Sequence, residues 1–398
     1  MSNNIYIQGL GIISAIGNNA QECLDSLQSR ADGVAKMQYL QSLHKDELPV
    51  AEVKKSNKEL AELAGMQASL TRTALLSAIA AKEALADAAI ENITGWKVGF
   101  ISANTVGGMD KTEDFYKDFL QDPSKGKLRD VVNHECGSAT EIVAEQLGAT
   151  DYITTISTAC SSSANSIFYG ARLIRNGIVD IAICGGADAL TKFTLNGFNT
   201  LMILDKEPCK PFDENRKGLN LGEGAAYVVL VSERVMKTLS KQPYCKLSGY
   251  CNANDAYHQT ASSPDGTGSY LAMKGALEKS GLQLADIDYI NLHGTGTQNN
   301  DSAEGTAIKR LFDPHYPKLS STKAYTGHTL GASGGVEAVF ASLSIKHGLI
   351  YPNLRFETQI ADQPFAPETQ LTRQDVKNVL SNSFGFGGNC SSLIFSKV

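Results

Sequence analysis

The sequence predicts an α/β sandwich with mostly buried sheets. Apolar runs of strand length alternate with helical patterns along the whole chain. Runs such as Val98–Ser102 and Ala225–Val231 have little polar interruption, as befits strands covered on both faces. Two successive stretches also share a similar element order, which points to an internal duplication without a residue-level repeat. The divide falls near residue 235 and gives segments 1–235 and 236–398. At roughly 150 residues per domain, 398 residues fit two to three domains or one large duplicated one.

In order, the first strand is Ile5 to Leu10, and Gly9 and Gly11 read as turn residues leading to a helix from Asn19 to Ser29. Residues 31–65 read as polar and irregular. Ala68 to Ile90 carries an Ala/Leu-rich helical pattern, Val98–Ser102 is a strand, and residues 103–135 form an excursion. A β-rich run from Tyr152 reaches Cys160, and a helix follows from Ser163 to Arg175. Next come strand Val179 to Cys184, a tight Gly185-Gly186 turn, a loop through Arg216 and strand Ala225 to Val231. The second round has strands Tyr244–Gly249 and Tyr289–His293, helices Thr267–Ser280, Ser302–Phe312 and Ser333–His347, and a closing strand Ser391–Phe395.

A net charge of −6 gives no global reason to expect nucleic acid or an anionic membrane as partner. Eight scattered cysteines without a CxxC pair fit neither a zinc site nor a disulfide framework, and read as reduced thiols. The N-terminus lacks a basic, apolar leader pattern, and no segment approaches the roughly 18 apolar residues of a membrane span. The expectation is a soluble, cytoplasmic protein.

Chemistry concentrates where Tyr152-Ile-Thr-Thr-Ile-Ser-Thr-Ala-Cys160 runs into Ser161-Ser-Ser163. A thiol at a strand-to-helix turn faces unpaired N–H groups and the positive end of the helix dipole, which favour thiolate. The serines are expected to supply capping hydroxyls. Three further stretches offer partners. Asn291-Leu-His293-Gly-Thr295-Gly-Thr297 puts a histidine at a strand end, and Lys323-Ala-Tyr-Thr-Gly-His328 puts a lysine and a histidine before a helix. Asn382-Ser-Phe384-Gly-Phe386-Gly-Gly388-Asn-Cys390 is a glycine-rich loop able to aim N–H groups at a bound oxygen.

These motifs, with Gly9-Leu-Gly11, Gly185-Gly-Ala-Asp188, Pro211-Phe-Asp213, Gly222-Glu-Gly224 and Asp255-Ala-Tyr-His258, resemble in order those of the β-ketoacyl-acyl-carrier-protein synthases of the I/II type. The resemblance covers nearly the whole chain. It implies a thiolase fold, a five-layered α-β-α-β-α arrangement of two similar halves, normally as a homodimer. It also implies a condensing enzyme in which Cys160 holds an acyl group as a thioester and malonyl-acyl-carrier-protein is the second substrate. Neutral His293 and His328 would each donate an N–H to the enolate oxygen left by decarboxylation, and the N–H groups of Cys160 and Phe386 would form the oxyanion hole.

The same resemblance gives Lys323 as the active-site lysine, expected to pair with Glu304, and Asp301 as a weaker member of that network. Thr295 and Thr297 match positions that bind the phosphopantetheine arm, Phe386 matches an aromatic gate, and Phe198 is expected to flank it. The acidic carrier protein calls for a basic docking patch, for which Lys125, Lys127, Arg129 and Arg72 are the candidates. No cofactor or metal is implied, because the pantetheine arrives attached to the carrier.

Three departures bear on substrate choice: Asn389-Cys390 stands where most relatives carry Thr-Asn, Lys217-Gly-Leu stands where they carry an Asp-Gly-Phe type run, and the excursion at 103–135 differs from that of the housekeeping enzymes. They leave room for a specialised synthase, for instance in an aryl-polyene or other polyketide-like pathway, working with a related subunit. A non-catalytic chain-length-factor-like subunit would replace Cys160. A thiolase would need Cys390 in another motif, and a dinucleotide-binding oxidoreductase rests on Gly9-Leu-Gly11 with the wrong spacing.

Overall fold

The computed structural model describes residues 4–90 and 93–398; residues 1–3 of the N-terminal stretch read for a leader lie outside it. The chain runs β1 (Ile5–Ser14), α1 (Ala20–Ser29), α2 (Asn57–Ala64), α3 (Arg72–Asp87), β2 (Val98–Ala103), α4 (Met109–Gln121), α5 (Cys136–Leu147), β3 (Tyr152–Ile156), α6 (Ser162–Arg175), β4 (Ile181–Asp188), α7 (Lys192–Thr200), β5 (Gly224–Ser232) and α8 (Glu233–Met236). It continues with β6 (Cys245–Asn254), α9 (Thr267–Ser280), β7 (Tyr289–Asn291), α10 (Gln298–Phe312), β8 (Lys318–Ser320), α11 (Lys323–Thr326), α12 (Ser333–His347), β9 (Leu349–Ile350), β10 (Thr372–Arg373), β11 (Asn378–Phe384) and β12 (Asn389–Ser396).

The main sheet has the order β3-β2-β4-β5-β1-β6-β12-β11-β7-β8. Within β1–β5 the order is third, second, fourth, fifth, first. Strands β6, β7, β8, β11 and β12 repeat that order as a mirror image across the β1–β6 junction. The orientations repeat as well: third to second and second to fourth are parallel, while fourth to fifth and fifth to first are antiparallel, in both arrays. The arrays join edge to edge where Tyr6 and Ile7 pair with Lys246 and Cys245. Helices α3 and α5 cover one outer face and α9 and α10 the other, while α6 and α12 pack on each other and on strands of both arrays. These are five layers, α-β-α-β-α. In the middle layer α12 has no wet side and is buried along nearly its whole length, from Ser333 to Ile345.

Several expected turns are strand instead. Gly9 and Gly11 lie inside β1, against α3: a Cβ on Gly9 would sit 2.1 Å from the Ala84 carbonyl oxygen, and one on Gly11 2.0 Å from that of Ala80. Gly185 and Gly186 continue β4 rather than turning out of it, and pair with Tyr227 and Ala226 of β5. The region 31–65 holds α2, fixed by a capping box between Ser56 and Glu59. The excursion at 103–135 contains α4, which buries none of its residues. The loop expected over 382–390 narrows to residues 385–388, because β11 runs to Phe384 and β12 starts at Asn389.

Among the described residues no helix is long and apolar enough to cross a membrane.

Candidate active site

The turn of residues 157–161 joins the end of β3 to α6 and holds Cys160, which is buried. Ala159 takes the left-handed conformation (φ 54°), a costly one for a residue with a Cβ, and it aims the next side chain out of the turn. The serines hold this shape but do not cap α6. Ser162 Oγ accepts from Thr158 N (2.7 Å) and donates to the Ala159 carbonyl (2.6 Å), while Ser163 Oγ accepts from Gly335 N on α12 (2.8 Å). Ser161 Oγ lies 2.7 Å from both the Thr158 carbonyl and Asn389 Oδ1, which share its one proton. The same Asn389 oxygen accepts from Asn165 (2.9 Å) and Asn252 (2.7 Å), tying the turn to β12 and β6.

His328 sits between α11 and α12 with Nε2 3.1 Å from Cys160 Sγ. Its Nδ1 accepts the Leu330 backbone N–H at 3.1 Å, so the neutral ring must carry its proton on Nε2. His293, just past β7, meets it edge-on, with ring centroids 5.6 Å apart. Its Nδ1 lies 3.3 Å from Lys323 Nζ, an obligate donor, which places that proton on Nε2 too. Burial, then the Lys323 charge, holds both imidazoles well below their usual range, and His328 adds to the effect on His293. Sγ and one ring nitrogen of each histidine lie within 4.8 Å of one another. With both Nδ1 atoms occupied by donors, the cluster presents N–H groups rather than the lone pairs a metal would need.

The expected Lys323–Glu304 pair is not formed. Lys323 Nζ is paired with Glu337, one turn into α12, and donates to the His293 carbonyl at 2.6 Å. Glu304 instead accepts the N–H groups of His293 (2.9 Å) and Gly294 (2.8 Å) and the Asn382 amide (3.0 Å), so it shapes the His293 loop through the backbone. Burial raises both carboxyls to about 7; Lys323 pulls Glu337 back down, and hydrogen bonds from Gly294, Asn382 and His293 pull back Glu304. Asp301 is also buried, accepts the Phe212 N–H at 2.8 Å and lies 3.8 Å from Arg216.

The thiol itself differs from expectation. Burial pushes Cys160 up to about 11, against the pull of Lys323 and of the Phe386 and Cys160 backbone N–H groups. Burial thus favours the thiol over the thiolate, although both N–H groups expected of an oxyanion hole do face the sulfur.

Cys160 lies in a cavity of ≈ 370 Å³ that also takes in His293, His328, Phe386, Thr295 and Thr297. Phe198 from α7 stacks on Phe386 at 5.7 Å across this space. The Thr295 and Thr297 hydroxyls are 3.0 Å apart, and Thr297 also caps α10. Cys390 lines the cavity as a buried thiol raised to about 12 by burial. Lys125, Lys127 and Arg129 are exposed. Arg72 is not available for docking: it is buried, and its guanidinium is held by Glu223, Asn57 and the Val53 carbonyl. Glu337, the Leu330 N–H and the tie of Asn389 to the Cys160 turn were not expected from the sequence. Only Glu337 left a signal, as a lone acid in the apolar run Val336 to Ile345.

A duplicated α/β sandwich that brings a buried thiol and two proton-donating imidazoles together defines a cysteine-dependent acyl-transfer enzyme. The family model for the β-ketoacyl synthase N-terminal domain matches residues 2–235, and that for the C-terminal domain matches residues 244–357. The chain belongs to the β-ketoacyl synthase family. It is 32% identical to the 3-oxoacyl-[acyl-carrier-protein] synthase 2 of Staphylococcus aureus, over 100% of this chain and 99% of that protein. Among solved structures it is similar to the ishigamide ketosynthase/chain length factor (TM-score 0.93, 28% identity, 99% of each chain). It is also similar to a structure of a ketosynthase in complex with its chain length factor from Xenorhabdus doucetiae (TM-score 0.86, 31% identity, 99% of this chain and 98% of that one).

Proposed function

We propose that this chain catalyses the decarboxylating Claisen condensation of an acyl group held on Cys160 with malonyl-acyl-carrier-protein, giving 3-oxoacyl-acyl-carrier-protein. The observation that carries this reading is the 3.1 Å approach of His328 Nε2 to Cys160 Sγ, with both histidines fixed as donors. First, the Cys160 sulfur displaces the carrier thiol from an acyl thioester, and the thiol proton leaves on the departing pantetheine sulfur. Malonyl thioester then loses carbon dioxide, and its C–C bonding pair becomes an enolate whose oxygen is met by the N–H groups of His293 and His328. The enolate carbon attacks the acyl-Cys160 carbonyl. The tetrahedral oxyanion is held by the Cys160 and Phe386 N–H groups and collapses by expelling the Cys160 thiolate.

In this reading Lys323 keeps His293 neutral and oriented, Glu304 positions its loop, Thr295 and Thr297 receive the pantetheine arm, and Phe386 with Phe198 gates the cavity. Lys125, Lys127 and Arg129 meet the acidic carrier protein. The chain works as two halves, 1–235 and 236–398, in a homodimer or with a related subunit, in the cytoplasm and without a cofactor. The two ketosynthase/chain length factor structures support the related-subunit arrangement and a polyketide-type pathway.

Intact-protein mass after incubation with a panel of acyl-carrier-protein thioesters tests the first step. Wild type is expected to gain one acyl group that Cys160→Ala does not. A folded wild type that no thioester acylates, alone or with a related subunit, overturns the reading.

A further inference from the structure

The active-site cavity runs from a buried end, where Cys160, His293 and His328 meet, to an exposed mouth formed by Met202, Lys217 and Asn299. Among the described residues that line it there is no Asp or Glu, and Lys217 is its single Lys or Arg. Because both histidines are neutral, the only formal charge facing this space at neutral pH is one cation at the mouth. The neighbouring Arg216 does not share that role. It is buried, and its guanidinium is spent on the Thr297, Gln298 and Asp213 carbonyls and on Ser302. Lys217 has no hydrogen-bond or ion-pair partner among the described residues.

The Lys217 segment also lies alongside the two threonines. A Cβ on Gly296 would sit 2.7 Å from the Gly218 carbonyl oxygen, so residues 217–218 and 295–297 run flank to flank. The first turn of α10 is capped from within by Thr297, which leaves Lys217 to supply the charge. A pantetheine arm with its thioester at Cys160 carries one charge, the phosphodiester at its far end. We infer that Lys217 seats that phosphate, pairing its Nζ with a phosphate oxygen. This rests on the carrier-arm chemistry proposed above and adds the group that recognises the arm's outer end, at a position where the resemblance calls for an aspartate.

The test is Cys160 acylation of wild type, K217Q, K217E and K217R by three donors with the same acyl group: the carrier-protein thioester, acyl-phosphopantetheine and acyl-pantetheine. K217Q is expected to raise KM about three- to tenfold for the two phosphate-bearing donors and not for acyl-pantetheine, K217E to raise it further, and K217R to restore it. The difference should shrink with added salt, because this mouth is exposed. An equal change with acyl-pantetheine overturns the assignment. So does a change confined to the carrier-bound donor, which would place Lys217 against the carrier's surface. Failure of every donor to acylate wild type strikes the proposed activity instead. Titration calorimetry of phosphopantetheine against pantetheine then decides Lys217 alone: tighter binding of the phosphate form, lost in K217Q, upholds it, and equal affinities overturn it.

Discussion

The two strand arrays share their order and their pairing, yet they treat charge in opposite ways. In the first, the turn between β3 and α6 is short, residues 157–161, and holds its thiol with hydroxyls and amides alone. In the second, the matching connection between β8 and α12 spans residues 321–332 and carries both Lys323 and His328. A buried ammonium needs a buried carboxylate, and α12 provides Glu337 one turn in. Duplication thus gave one scaffold twice, and the longer connection in the second copy made room for charged groups that the matching turn at the nucleophile lacks.

If the contrast is right, the charged side should be the more fragile. Glu337→Gln leaves Lys323 buried without its partner and should cost about 3–5 kcal/mol of stability, read as a lowered denaturant midpoint. A loss below about 1 kcal/mol would mean that the pair is not buried as described. His328→Ala should cut malonyl decarboxylation about 10²- to 10³-fold while Cys160 is still acylated. Decarboxylation and acylation falling together would instead make His328 part of the thiol's own turn.

A third experiment separates the arrays by pH. Burial raises Glu304 to about 7, above the ordinary 4.5, so the folded protein holds this proton more tightly than the unfolded chain. Its contribution is complete below about pH 4.5 and is lost as pH rises through 7. Stability should fall between about pH 4.5 and 7, by at most about 1.4 kcal/mol per unit, and Glu304→Gln should flatten that slope. An unchanged slope would assign the titration elsewhere, for example to Asp188, which burial raises to about 6. The smallest effect belongs to the uncharged turn: Asn389→Ala removes an oxygen that accepts three hydrogen bonds, and should slow Cys160 acylation with a stability loss of about 1–3 kcal/mol.

The sequence made the architecture legible where periodicity was long. Helices Thr267–Ser280 and Ser333–His347 fall where the pattern places them. It misled where one residue type answers two needs: Gly9, Gly11, Gly185 and Gly186 signal a turn and a close backbone approach with the same letter, and here the approach won. Cys160 and His293 were readable because each sits just past a strand, and His328 because it lies in the loop before a long helix, all three among small residues. The partner of Lys323 was not, since Glu304 and Glu337 both lie on helices near the histidines, and only the register of α12 decides which carboxylate reaches the ammonium. Arg72 looked like a surface charge because sequence alone hides Glu223, which is 151 positions away.

The central layer draws one helix from each array, α6 and α12, and each rests on strands of the other array as well as its own. A break in the connection between α8 and β6 would therefore release two fragments that each expose an apolar helix meant for its counterpart. Such fragments should be recovered when co-expressed and lost to aggregation when made alone. The catalytic turns would return only with the reassembled whole, because Ser163 of one fragment and Gly335 of the other hold them together.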